Sequence, residues 1–276
     1  MHLIIQGGQI ETGDLKQLAK LSGASGIEQL SGTAFRLPNA TPAADITTLC
    51  EQARLDFAFI PAERRLADYK LLVMDMDSTL ITIETIDELA DLVGLKPQVA
   101  KITEQAMRGE IEYNESLQRR VSLLKGLDES ALKRVYDERL KLSPGAEILL
   151  AAAKKHGIKT LLVSGGFTHV TELLKPRLGL DYAYSNTLGV KDGKLTGDVI
   201  GRIVNADAKR DELQRVSASL GLKREQIIGM GDGANDLKFL AECSVSVAYH
   251  AKPIVREQTT HAINYSGLDA AVNFFN

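Results

Sequence analysis

The sequence is poor in the residues that mark several classes of protein. Among its 276 residues there is no tryptophan, and aromatic residues make up 5%. Lysine and arginine number 33 against 36 aspartates and glutamates, which leaves a formal net charge of −3. Binding to DNA or RNA relies on a positive surface and on aromatic side chains that stack on bases. We therefore expect no nucleic-acid partner.

Cysteine and long apolar runs are also scarce. Cys50 and Cys243 lie far apart and form no CxxC pair, so two reduced thiols are favoured over a metal site, with one disulfide as the alternative. No apolar run approaches the ~20 residues of a membrane span. The N-terminus lacks the basic and apolar regions of a signal peptide. These features predict a cytoplasmic protein with no membrane partner.

Length and hydrophobic pattern predict an α/β protein in three parts. Residues 1–66 mix short apolar strands with helical spacing, which predicts a small α/β N-terminal domain. Residues 84–141 show helical spacing and no strand-like run, which predicts an inserted cap of four helices. Residues 67–83 and 142–276 alternate strands with helices. That alternation predicts a doubly wound, mainly parallel sheet as the core.

An acidic pair follows the first strand of the predicted core. Asp75 and Asp77 come directly after the apolar residues 71–74, and Thr79 adds a hydroxyl. Residues i and i+2 of an extended strand point to the same side, and two carboxylates held together repel each other. A hard cation such as Mg²⁺ relieves that repulsion. The alternative is that the two acids only cap a turn, but their position at a strand end favours a functional site.

Three further elements strengthen the case for a functional site. Residues 163–168 (VSGGFT) end a strand in a hydroxyl and two glycines, whose backbone N–H groups can approach an anion. Residues 231–236 (GDGAND) end another strand in two more acids. Lys209 lies at the start of a predicted helix. Each alone has an ordinary explanation, such as a glycine turn or a solvated lysine.

Taken in this order, the four elements resemble those of the haloacid dehalogenase superfamily. Within it the sequence is similar to the phosphoserine phosphatase family through residues 75–90, 106–127, 163–168 and 231–237. The resemblance covers roughly residues 68–276. It implies Mg²⁺-dependent hydrolysis of O-phospho-L-serine to L-serine and phosphate, the last step of serine biosynthesis. The implied intermediate is an aspartyl-phosphate.

The resemblance implies a role for each residue of the site. Asp75 would be the nucleophile, and Asp77 would act first as the general acid and then as the general base. The Mg²⁺ ion would be held by the Asp75 carboxylate, the Asp77 backbone carbonyl and Asp232. Asp236 would orient the lysine rather than bind the metal. The residues implied to hold the phosphoryl group are Ser164, Gly165, Lys209 and Asn235.

The same resemblance places substrate recognition in the helical cap. Glu84 would bind the substrate ammonium, and Arg120 would bind the carboxylate, for which a planar guanidinium is suited. Met107 and Tyr113 would pack around the substrate, although helical spacing also permits both as plain cap core, and for Tyr113 the two roles are equally favoured. From the residues alone, Glu84 is better explained as an acid at a helix start and Arg120 as a solvated side chain. Arg119 is adjacent, and only the motif alignment favours Arg120.

Two further questions stay open at this stage. The alternative function is a related phosphohydrolase or phosphotransferase that acts on another small phosphomonoester. Residues 1–66 are also compatible with an amino-acid-sensing module, although they carry no recognisable ligand motif. Residues 241–248 are less glycine-rich than the family pattern, and a homodimer is neither required nor excluded.

Overall fold

The computed structural model describes residues 1–275, which divide into two compact units. Unit 1 comprises Met1–Leu72, Ser143–Lys159 and the residues from Leu222 onward. Unit 2 comprises Val73–Leu142 and Thr160–Gly221. Over residues 1–275, no helix combines the length and the apolar character needed to cross a membrane.

The described residues form eleven strands and eleven α-helices. In chain order they are β1 (His2–Gln6), α1 (Thr12–Ser22), β2 (Glu28–Ser31), β3 (Ala34–Leu37), α2 (Ala44–Ala53), β4 (Asp56–Ile60), β5 (Leu71–Met74), α3 (Thr85–Asp91), α4 (Lys96–Met107), α5 (Tyr113–Ser122), α6 (Ser130–Glu138), α7 (Ala146–Lys155), β6 (Lys159–Phe167), α8 (Thr168–Leu178), β7 (Tyr182–Lys191), β8 (Lys194–Ile200), α9 (Ala206–Ser219), β9 (Ile227–Gly231), α10 (Leu237–Leu240), β10 (Val245–Tyr249), α11 (Pro253–Glu257) and β11 (His261–Ile263).

The N-terminal part of unit 1 is a small sheet covered by two helices. Its four strands are antiparallel, in the order β2-β3-β1-β4. Because side chains alternate along a strand, Leu3 and Ile5 of the central strand β1 share one face. They pack in one buried cluster with Leu15 and Leu18 of α1 and Ile46 of α2. The predicted small α/β region is thus present, with an antiparallel sheet.

Hydrogen bonds tie this N-terminal part to the end of the chain within unit 1. The Asp56 carboxylate is 2% exposed and accepts hydrogen bonds from the backbone N–H groups of Asn264, Tyr265 and Ser266. A buried carboxylate is costly unless such donors surround it. Asn273 also donates to the Gln6 side chain. The predicted boundary at residue 66 is therefore crossed by specific polar contacts.

A buried histidine near these contacts predicts sensitivity to acid. Arg64 donates to Nε2 of His261 at 3.0 Å, and burial together with the Arg64 charge lowers the pKa of His261 to about 3. The unfolded chain takes up this proton near pH 6.5, whereas the folded chain does not. The free energy of unfolding should therefore fall by about 2 kcal/mol between pH 7 and pH 4.5 through this residue. Urea unfolding of the wild type and of His261→Gln at both pH values measures the effect, and an unchanged pH dependence in the variant would contradict it.

Parallel strand pairs dominate the rest of the fold. In unit 1, β10 pairs in parallel with both β9 and β11. In unit 2, β6 and β7 are parallel, whereas β7 and β8 form an antiparallel hairpin. The hairpin turns at Asp192 and Gly193, which both have positive φ, as the favoured two-residue turn requires. The predicted α/β fold with a mainly parallel sheet is confirmed.

The predicted insertion contains the four helices α3 to α6. Their buried side chains include Leu89, Val99, Leu117 and Val135, one from each helix. The same hydrophobic cluster also contains Phe167 at the end of β6, together with side chains of β7 and β8. Within unit 2, the helical cap and strands β6–β8 are thus packed on one shared core. The boundaries proposed at residues 84 and 141 stay a prediction.

Candidate active site

Asp75 directly follows strand β5 and forms a buried ion pair. Its Oδ1 accepts a hydrogen bond from the Met76 backbone N–H at 2.7 Å and lies 2.8 Å from Lys209 Nζ. Asp75 is 5% exposed and Lys209, on helix α9, is 0% exposed. Two such charges are tolerated in a protein interior because each compensates the other. The pair therefore presents an ionised carboxylate beside a fixed positive charge.

Asp77 lies two residues further on and is partly buried. Burial, followed by the negative charge of Glu84, raises the pKa of Asp77 to about 8, although hydrogen bonds from Thr85 and the charge of Lys209 oppose the shift. The Thr85 hydroxyl donates to Asp77 Oδ1 at 2.7 Å and so fixes the orientation of the carboxyl group. A carboxyl group with a raised pKa carries a proton near neutral pH, as a general acid must.

A tight turn joins these acids to the first helix of the cap. Ser78 has a φ of 55°, which is uncommon for a residue with a Cβ. Its hydroxyl donates to Glu84 Oε1 at 2.6 Å, and its backbone N–H donates to the Ile83 carbonyl. The turn therefore brings Glu84 close to Asp77 through hydrogen bonds between residues that are near each other in sequence.

Glu84 lies in an environment that weakens its acidity. Although Glu84 is exposed as a residue, the protein groups around its carboxyl group displace water and raise its pKa, and the charge of Asp87 adds to that shift. The hydrogen bond from Ser78 and the positive charges of Arg120 and Lys209 oppose it. Glu84 is thus an exposed carboxylate with a raised pKa, within electrostatic range of two cations and accessible to a bound ammonium group.

The two adjacent arginines of helix α5 face different ways. Arg120 is half-buried, its Nε donates to the Ser116 carbonyl, and its charge acts on Glu84. Arg119 is exposed and forms an ion pair with Glu115 one turn away. Successive residues of a helix point about 100° apart, so only one of the two can face the interior.

Gly165 and Gly166, here called the glycine loop, lie near the end of β6, beside Asp77 and the cap residue Tyr113. Ser164 is fully buried, and its Oγ accepts a hydrogen bond from the Gly166 N–H at 2.8 Å. A Cβ at Gly166 would lie 3.0 Å from Asp77 Oδ2, and one at Gly165 would lie 2.3 Å from the Tyr113 hydroxyl. Glycine fits both positions without displacing a neighbour, whereas a side chain there would push against Tyr113 or Asp77.

In unit 1, the predicted acidic loop follows strand β9. Asp236 is buried, and its Oδ2 accepts hydrogen bonds from the backbone N–H groups of Asp232 and Gly233. Asp232 and Asn235 are partly exposed at the same loop. The Asp236 side chain thus fixes the loop that carries Asp232, a role that its place in GDGAND alone does not reveal.

Three of the carboxylates described above suit a hard metal ion. Each of Asp75, Asp232 and Asp236 offers a carboxylate oxygen as a ligand atom. Oxygen donors of this kind suit Mg²⁺ and other hard cations, and no cysteine or histidine belongs to the set. Asp236 was not among the ligands expected from the sequence.

Two predicted substrate contacts differ in their surroundings. Met107 lies at the end of helix α4 and is 63% exposed. Tyr113 is half-buried at the start of α5, with its hydroxyl against Gly165. Tyr113, for which core packing and substrate contact were equally compatible with the sequence, is therefore the side chain that reaches the glycine loop.

The sequence and the site geometry define the class of this protein. The chain belongs to the haloacid dehalogenase-like hydrolase family, which matches residues 72–241. Residues 3–46 match a second family, described as Domain of unknown function (DUF4072). The predicted superfamily is confirmed.

Relatives and solved structures narrow the class to phosphoserine phosphatases. The phosphoserine phosphatase of Polaromonas sp. is 52% identical over 210 residues, which cover 74% of this chain and 89% of the relative. A probable phosphoserine phosphatase from Vibrio cholerae, in unliganded form, has a TM-score of 0.86 at 35% identity and covers 99% of this chain and 85% of its own. A haloacid dehalogenase family hydrolase from Salmonella enterica serovar Typhi has a TM-score of 0.89 at 33% identity, with 100% and 98% coverage. The predicted resemblance to the phosphoserine phosphatases is likewise confirmed.

Proposed function

We propose that this protein hydrolyses O-phospho-L-serine to L-serine and inorganic phosphate, in the manner of the phosphoserine phosphatases to which it is similar. The observation that carries the proposal is the buried Asp75–Lys209 pair, at 2.8 Å, two residues before an acid whose pKa is raised to about 8. This arrangement supplies a nucleophile and a proton donor on one short segment. A place in serine biosynthesis follows from the product.

In the first half of the reaction, the Asp75 carboxylate attacks phosphorus. The bond between phosphorus and the serine oxygen breaks, and Asp77 gives its proton to that oxygen, so that serine leaves neutral at its hydroxyl. A carboxylate needs no base to activate it because it is already ionised. Lys209 stays close to Asp75 and opposes the charge of the phosphoryl group.

In the second half, water hydrolyses the aspartyl-phosphate. Asp77, now ionised, takes a proton from the water as its oxygen attacks phosphorus, and the bond to Asp75 breaks. Phosphate is released, and both carboxyl groups return to their starting protonation states. Asp77 thus donates a proton in the first half of the reaction and accepts one in the second.

A metal ion completes the proposed site. The Asp75 carboxylate, the Asp77 backbone carbonyl and Asp232 would hold Mg²⁺, with Asp236 as a further candidate ligand. When bound, the ion supplies positive charge to the phosphoryl oxygens. The protein groups proposed to hold the same oxygens are Ser164, Gly165, Lys209 and Asn235.

Selectivity for phosphoserine is proposed to rest on two charges of the cap. Glu84 would bind the ammonium group and Arg120 the carboxylate of the substrate. The half-buried position of Arg120, its charge acting on Glu84, and the accessibility of the Glu84 carboxylate support these roles. Tyr113 and Met107 are proposed to lie at the edge of the same space.

The arginine pair offers a matched test of this selectivity. Arg120→Ala should raise KM for phosphoserine by ~10- to 100-fold, because hydrogen bonds to a charged group are worth about 1.5–3 kcal/mol. The same change should leave KM for p-nitrophenyl phosphate, which has no carboxylate, within ~2-fold, and kcat is measured alongside KM. Arg119→Ala is the control and should alter neither. Equal losses for both substrates would favour another phosphomonoester as the natural substrate.

The decisive experiment is a screen of phosphate release over small phosphorylated metabolites, with Mg²⁺ and with a chelator. Phosphoserine should give the highest kcat/KM, and the chelator should remove the activity. A higher kcat/KM for a different phosphomonoester would support the alternative, a related phosphohydrolase or phosphotransferase. The cytoplasmic location stays a prediction from the sequence, and a homodimer and a sensing role for residues 1–66 stay open.

A further inference from the structure

We propose that Asn186 is a positioning residue that aligns the phosphate-binding hydroxyl of Ser164 with the helix that carries Lys209. The proposal rests on the phosphatase activity proposed above. Asn186 lies in strand β7, belongs to none of the motifs of the site, and is 1% exposed. A buried amide side chain must find partners for both of its ends, and here the two partners belong to two different phosphate-binding elements.

The Asn186 side chain forms one hydrogen bond in each direction. Its Nδ2 donates to the Gly165 carbonyl at 2.8 Å, and its Oδ1 accepts from the Val204 backbone N–H at 2.8 Å. The orientation of the amide is fixed, because a carbonyl needs a donor and an N–H needs an acceptor. Neither aspartate nor leucine, which have nearly the same shape, reproduces both bonds at neutral pH.

The first bond acts on Ser164 through a single peptide group. The carbonyl of Gly165 and the N–H of Gly166 belong to the same planar unit, so holding one fixes the direction of the other. That N–H donates to Ser164 Oγ at 2.8 Å. Because the Ser164 oxygen already accepts this hydrogen bond, the Ser164 O–H points in another direction. The hydroxyl can therefore donate to a phosphoryl oxygen. Asn186 thereby sets the direction in which Ser164 donates.

The second bond acts on the start of helix α9. Val204 precedes Asn205, the residue that caps this helix. The Lys209 backbone N–H donates to the Asn205 carbonyl at 2.9 Å, and Lys209 Nζ lies 2.8 Å from Asp75. One amide side chain therefore links the glycine loop to the helix that positions the lysine. Loss of the link would let the two elements shift relative to each other.

The discriminating variant is Asn186→Asp, assayed with p-nitrophenyl phosphate. At neutral pH the carboxylate still accepts from Val204 but faces the Gly165 carbonyl without a proton to donate. We expect a ~100-fold lower kcat/KM, as misplacement of reacting groups by about 1 Å can produce. As the pH falls, a protonated carboxyl group regains the donor, so the ratio of variant to wild-type activity should rise. For Asn186→Leu the ratio should stay low at every pH.

A matched control separates this role from simple support of the fold. Ser185 is adjacent in β7, is buried, and shares a 2.8 Å hydrogen bond with Thr171. Ser185→Ala removes one buried hydrogen bond from the same strand, so it should lower the thermal unfolding temperature without a pH-dependent change in kcat/KM. An Asn186→Asp ratio that does not vary with pH, or a loss no larger than that of Ser185→Ala, would overturn the proposal.

A double-mutant cycle tests the step through Ser164. If Asn186 acts on catalysis through that hydroxyl, then Asn186→Ala should cost much less in kcat/KM when Ser164→Ala is already present. Fully additive losses would also overturn the proposal, and Asn186→Ala serves in the cycle even if Asn186→Asp fails to fold. A wild-type protein inactive on every phosphomonoester would instead refute the proposed function. The two failures are therefore distinguishable.

Discussion

The Asp75→Asn variant should lose phosphate release by more than about 1000-fold, a loss typical of a missing nucleophile. An amide is neutral and does not attack phosphorus as a carboxylate does. The covalent intermediate should disappear as well, since Asp75 is the group proposed to form it. Incubation with ³²P-labelled substrate, followed by acid quench, measures the label that stays on the protein and that alkali then removes.

This substitution also tests the ion pair with Lys209. Asparagine keeps the shape of aspartate and can still accept from the Met76 N–H, but it leaves a fully buried cation without its 2.8 Å carboxylate partner. Breaking a buried pair from one side costs about 3–5 kcal/mol. Asp75→Glu keeps the charge and is the control for folding, although its longer side chain should still misplace the attacking oxygen. Full activity in Asp75→Asn, with label retained on the protein, would refute the proposed nucleophile.

The sequence predicts the chemistry of the site better than its orientation. Asp75 and Asp77 are predictable because the apolar residues before them and the polar residues after them mark a strand end, and that pattern is local. The face that Arg120 presents is not, because α5 can be rotated to point either arginine inward until Val121 and Leu117 are packed into the cap core. Helical spacing constrains which residues share a face, and tertiary packing decides which face is buried.

Long-range polar contacts escape a local pattern for a similar reason. Asn186 lies 21 residues after Gly165, and nothing between them signals that the two will meet. The raised pKa of Asp77 is a local feature, but it depends on partial burial beside Glu84, which only the folded turn creates. In the N-terminal part, the strands are evident from their apolar residues, whereas the burial of Asp56 against Asn264–Ser266 is not. The contacts of Asn186 and of Asp56 join residues that are distant in sequence, and a single sequence holds no direct signal for them.

The Asp77→Asn variant should separate the two halves of the reaction. Turnover of phosphoserine should fall by ~10²- to 10⁴-fold, the usual contribution of a general acid or base. The cause is that serine leaves as a strongly basic alkoxide unless a proton is supplied. Asparagine is isosteric and its side-chain oxygen can still accept from Thr85, which donates to Asp77 Oδ1 at 2.7 Å. The loss should therefore reflect proton transfer rather than misfolding.

With p-nitrophenyl phosphate the same variant should behave differently. The p-nitrophenolate ion leaves without a proton, so Asp75 should still be phosphorylated, whereas hydrolysis of the intermediate lacks its base. Rapid-mixing measurements should then show a burst of p-nitrophenolate close to one equivalent per site, followed by slow release of phosphate. Equal losses on both substrates with no burst would show that Asp77 acts on binding or on structure. A burst together with phosphorylated protein would instead show that Asp77 transfers the protons of both halves. It gives one to the leaving serine oxygen and takes one from the attacking water.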